Sequence, residues 1–72
     1  MDAQRLVAMA NRIAEFFAGM PDRTEAVAGV ATHLRQFWEP SMRAELLAHV
    51  GEAGSGGLHP LVAEALDGLR QH

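Results

Sequence analysis

Pro40 stands where an amphipathic helix would otherwise run unbroken through residues 22–50. Before it, Val27, Val30, Ala31, Leu34, Phe37 and Trp38 recur at the spacings of one helical face, and after it Met42, Leu46, Leu47 and Val50 resume the same period. A proline ring inside a helix removes a hydrogen bond and collides with the carbonyl one turn back, and it drives the preceding residue out of the α region. Glu39-Pro40 therefore ends one helix. Because the missing N–H is harmless at a first helical position, the same proline starts the next. Two helices must meet at a bend with almost no loop, and the lone tryptophan, Trp38, lies beside that bend with Phe37.

The remaining punctuation divides the chain into four such segments. In the first, Leu6, Met9, Ile13, Phe16, Phe17 and Met20 form a stripe that stops at Gly19-Met20-Pro21. Asp22 and Glu25 have the spacing of a capping box ahead of the second segment, with Thr24 as an alternative cap. Small residues in "AVAGVA", residues 26–31, would let a neighbouring helix approach closely, although Gly29 costs about 1 kcal/mol of helix propensity relative to alanine. Gly51 reads as the stop of the third helix, and "GEAGSGG", residues 51–57, reads as a flexible linker. A short fourth helix from Pro60 carries Val62, Ala65, Leu66 and Leu69, with Leu58 flanking it. No segment alternates with the period of a strand. The expectation is one all-α domain over residues 1–72, a small bundle of three main helices and a short fourth. Their expected spans are about 3–19, 23–38, 40–50 and 60–70, with Ile13, Phe16, Leu34, Leu46 and Leu66 in the core.

Several chemistries are disfavoured by what the chain holds. It has no cysteine, so neither disulfides nor thiolate ligands are available. Its histidines, His33, His49, His59 and His72, lack the i, i+4 or clustered spacing of a zinc site, and the nearest pair straddles the glycine stretch. Asp and Glu are spread over polar faces rather than paired in an apolar setting that would tune them for acid–base work. The glycine stretch has no preceding strand and no Lys-Ser/Thr to complete a phosphate loop. Six arginines against nine acids, with no basic stripe, argue against tracking a phosphate backbone. A helix-turn-helix would have only Ser41 and Arg43 to offer a groove. The first segment lacks the continuous apolar run of a membrane span or signal peptide, so a cytoplasmic location is expected.

Trp38 supports two readings: a core residue at a helix joint, or a partly exposed anchor for a partner. On the second, Phe37, Trp38, Pro40, Met42 and Arg43 form a rigid knob, and Arg43 adds a bidentate contact to a partner carboxylate. Arg43→Glu is then expected to leave the fold intact while weakening binding.

Taken together, "MANRIAEFF" (residues 9–17), "AVAGVATHLRQFWEPSMRAELLAHV" (residues 26–50) and "HPLVAEAL" (residues 59–66) resemble the small delta subunit of the NAD-dependent, molybdenum-containing formate dehydrogenases of bacteria. The most specific piece is Phe37-Trp38-x-Pro40-x-Met42-Arg43, preceded by His33-Leu34-Arg35. The resemblance implies a non-catalytic accessory subunit that binds no cofactor itself. In that family the large subunit holds molybdenum bis-pterin and iron–sulfur clusters, and other subunits carry FMN and the NAD site. The implied partners are that catalytic subunit and the flavin/iron–sulfur subunits, with a role in assembly, stability or cofactor maturation and no nucleic acid or membrane partner. A free-standing helical regulator or adaptor, homodimeric or DNA-binding, is the alternative.

Overall fold

The computed structural model describes residues 2–70, so His72 lies outside the described residues. Four helices follow one another: α1 (Ala3–Phe17), α2 (Arg23–Phe37), α3 (Pro40–Ala53) and α4 (Pro60–Arg70), with no strand among the described residues. The start of α1 is capped by the Asp2 carboxylate, which accepts the Gln4 N–H at 3.1 Å. At α2 the cap is Asp22, accepting the Glu25 N–H at 3.2 Å, while Thr24 is already helical. The third start has no side-chain cap: Pro40 at the first position has no N–H to satisfy, and the Glu39 carbonyl accepts the Met42 and Arg43 N–H groups at 3.0 and 3.2 Å. His59 opens α4, its Nδ1 accepting the Leu61 N–H at 3.1 Å.

The bend at Pro40 is as tight as the sequence requires. Trp38 and Glu39 are the only residues between α2 and α3, both extended, with ψ of 140° and 149°. Three helix ends differ from expectation, the smallest difference being α2, which closes at Phe37 with Trp38 already extended. The first helix closes at Phe17 rather than residue 19, where Gly19 and Met20 instead make three-residue hydrogen bonds to Phe16 and Phe17. The third does not stop at Gly51 but continues to Ala53 and ends at Gly54, whose φ of 80° is the left-handed geometry a terminating glycine supplies. Gly51 is exposed with open space around it, so it lowers propensity without blocking the helix.

The core is built from residues spaced by four. Leu6, Ala10 and Ala14 line α1, Ala26, Val30 and Leu34 line α2 and lead to Trp38, Leu46 anchors α3, and Leu61, Val62, Ala65 and Leu66 fill α4. The first helix packs against all three others, and α2 lies most extensively along α4. Leu34, Leu46 and Leu66 are buried as expected, but Ile13 is only half-buried and Phe16 is 79% exposed. The reason is geometric: α1 is approached by three helices, so its inward line carries two alanines that permit close packing. Phe16, two residues beyond Ala14 and so about 200° further around the axis, points away.

The connection from α3 to α4 is held at one end. The Asn11 carboxamide donates from Nδ2 to the Gly57 carbonyl and accepts the His59 N–H at Oδ1, both at 2.8 Å. A side chain from mid-α1 thus substitutes for a strand partner and sets where α4 begins. The linker expected over residues 51–57 is shorter than its glycines suggest, with residues 51–53 helical and the Ser55 carbonyl accepting the Leu58 N–H at 3.0 Å. Asn11→Ala is expected to lower stability by about 1–2 kcal/mol, two neutral hydrogen bonds with one donor left part-buried. Asn11→Asp, which keeps the acceptor and loses the donor, should fall between. A urea melt of Asn11→Ala superimposing on wild type would show that the clamp does not hold.

Candidate functional site

The chain's three phenylalanines lie together on one surface, between α1 and α2. Phe17 is half-buried and its ring lies over Gly29. A Cβ built at that position would sit 2.5 Å from the ring, so the glycine allows this close approach. Phe16 packs edge-on against Phe17, with ring centroids 5.2 Å apart and planes at 88°. At the other end of the surface, Phe37 lies on the His33 ring at 4.7 Å. Phe16 and Phe37 nonetheless keep 79% and 70% of their surface exposed.

Between these rings run two hollows. One, of about 400 Å³, is lined by Arg12, Ile13, Phe16, Phe17 and His33. The other, of about 390 Å³, includes Gly29, Thr32, His33, Gln36 and Phe37 along with Phe17. Sharing Phe17 and His33, they make one trough across the two helices, and among the described residues no carboxylate lines it. Exposed aromatic surface of this kind is enriched at the cores of protein interfaces.

The sequence-derived knob is not one surface. Phe37 belongs to the aromatic face, whereas Trp38, next in sequence, is only 6% exposed and sits in the core. Pro40 is exposed at the start of α3, and Met42 packs half-buried against the core. Arg43 turns inward, its Nη1 donating to the carbonyls of Leu34 at 3.0 Å and Arg35 at 3.2 Å, and to that of Trp38. It caps the C-terminal end of α2, which corrects the expectation that Arg43→Glu leaves the fold intact. The residues missed from sequence are Arg12, Ile13, Phe16, Phe17, Gly29 and His33. One signal pointed to them. In an adjacent pair such as Phe16-Phe17, about 100° apart on a helix, both rings cannot face the same core line.

Among the described residues no three His, Cys, Asp or Glu side chains converge as a metal site would require. No helix among them is long and apolar enough to cross a membrane. A model of the family described as NADH-dependent formate dehydrogenase delta subunit, FdsD, matches residues 5–66. The comparisons with curated proteins and with solved structures give no match.

Proposed function

Because the chain belongs to the FdsD family of NADH-dependent formate dehydrogenase delta subunits, we propose that it is a non-catalytic accessory subunit that binds the molybdenum-containing catalytic subunit of such a complex. The observation that carries this is the extent of the family match, which takes in nearly all of α1, the whole of α2 and α3, and most of α4. In this reading the complex's molybdenum bis-pterin, iron–sulfur clusters, FMN and NAD all reside on other subunits. The chain has no cysteine with which to ligate a cluster. It works in the cytoplasm, supporting assembly, stability or cofactor maturation of the enzyme. The exposed aromatic face is the kind of surface such a role needs.

The test is co-expression of the catalytic subunits with and without a tagged copy of this chain. The tagged chain is expected to retain the large subunit through purification, and omitting it should lower the yield of assembled, molybdenum-loaded enzyme. The purified chain alone should reduce no NAD with formate. A chain that never co-purifies with any enzyme subunit, or that shows formate-dependent NAD reduction by itself, overturns the proposal.

A further inference from the structure

We infer that the trough between α1 and α2 is the docking surface of this subunit, and that its partner presents an apolar helix or ridge with a carboxylate beside it. The inference rests on the accessory-subunit reading above. It moves the contact from the α2–α3 corner to the aromatic face.

Shape and stiffness favour this surface. Gly29 leaves the trough without a side chain at the point where Phe17 covers it, and the hollows on either side meet at Phe17 and His33. Phe16 is braced on Phe17 and Phe37 on His33, so the exposed rings have fewer rotamers to lose on docking. An apolar helix face set into such a trough would cover both rings at once.

Charge selects the occupant. In a chain of net charge −3, the described residues that line the trough include Arg12 and no carboxylate. Arg12 forms no ion pair among the described residues. A second copy docking by two-fold symmetry would bring this carboxylate-free face against itself, leaving each Arg12 without a counter-charge. A phosphate backbone would call for a run of cations where the trough supplies one arginine among rings. An apolar ridge flanked by Asp or Glu meets the rings and the guanidinium together, with the bidentate geometry that arginine favours.

The experiment titrates this chain into purified formate dehydrogenase assembled without it, with thermal melts of every variant. Phe16→Gln combined with Phe37→Gln should weaken binding by about tenfold or more at unchanged melting temperature, since both side chains are exposed. Arg12→Glu should do the same, Arg12→Lys should retain most of the affinity, and Ala48→Gln on the exposed side of α3 should change nothing. If the double variant melts early, Phe37→Gln alone, at the last residue of α2, carries the test. Wild type that fails to bind overturns the accessory-subunit reading itself. Wild type that binds while the phenylalanine variants bind equally well leaves that reading intact and overturns the surface. Arg12→Glu binding like wild type overturns the carboxylate. A wild-type dimer in sedimentation that the double variant dissolves assigns the face to a second copy and overturns the inference.

Discussion

Trp38→Ala is expected to lower stability by about 3–5 kcal/mol, the range for deleting a buried large aromatic side chain. At 6% exposure Trp38 belongs to the same buried cluster as Leu34, Leu46 and Leu66. It holds the one place where α2 and α3 are joined by two extended residues instead of a loop. A chain of 72 residues has little to spare, because a core of this size seldom supplies more than about 3–5 kcal/mol. Circular dichroism should therefore show a largely unfolded variant at 25 °C. The neighbouring substitution makes the result specific. Phe37→Ala removes a ring that is 70% exposed and should change the urea midpoint by no more than about 0.5 kcal/mol equivalent. Equal effects from the two substitutions would mean that the corner packs differently from the arrangement described.

That contrast also marks where the sequence was legible. Helix identity and the bend at Pro40 could be read because their causes are local: a missing N–H, a clash with the preceding residue, a carboxylate within reach of an amide. The phase of each apolar stripe could not, because it depends on which neighbours arrive. Period alone allowed Phe16 to face inward. Three helices closing on α1 instead select Ala10 and Ala14 for the inside and leave Phe16 out. At the α2 terminus, Phe37 and Trp38 are both large and apolar, and Trp38, four residues beyond Leu34, continues the buried line while Phe37 falls off it. Gly51 carries the residue type of a helix stop, but the terminating positive φ falls at Gly54 instead. The candidate surface was the least legible part. It exists only once α1 and α2 are docked, with Phe17 over Gly29 and Phe37 on His33.

Arg43→Glu is expected to destabilise the fold by about 3 kcal/mol or more. The last carbonyls of a helix have no partner within it, and α2 ends without the glycine that commonly turns the chain back to satisfy them. Pro40, two residues beyond the cap, has no N–H to offer. Arg43 supplies the donor from the first turn of α3, with one nitrogen in reach of the Arg35 and Trp38 carbonyls and of the Leu34 carbonyl, which also accepts the Trp38 N–H at 3.2 Å. Hydrogen bonds from a charged donor contribute about 1.5–3 kcal/mol, and a cation at a helix C-terminus adds about 0.3–1 kcal/mol. Glutamate removes both and turns a carboxylate toward carbonyl oxygens, so its effect should exceed that of Arg43→Met, which only deletes the donor. Arg43→Lys keeps the charge but cannot reproduce the planar fork, so it should be the mildest of the three. Urea denaturation checks the order Lys, Met, Glu. The order matters for function as well. Weakened binding in Arg43→Glu cannot be read as a lost partner contact until the cap has been accounted for, and Arg43→Lys is the variant that separates the two. An Arg43→Glu protein as stable as wild type would show that the guanidinium faces solvent, returning it to the residues available to a partner.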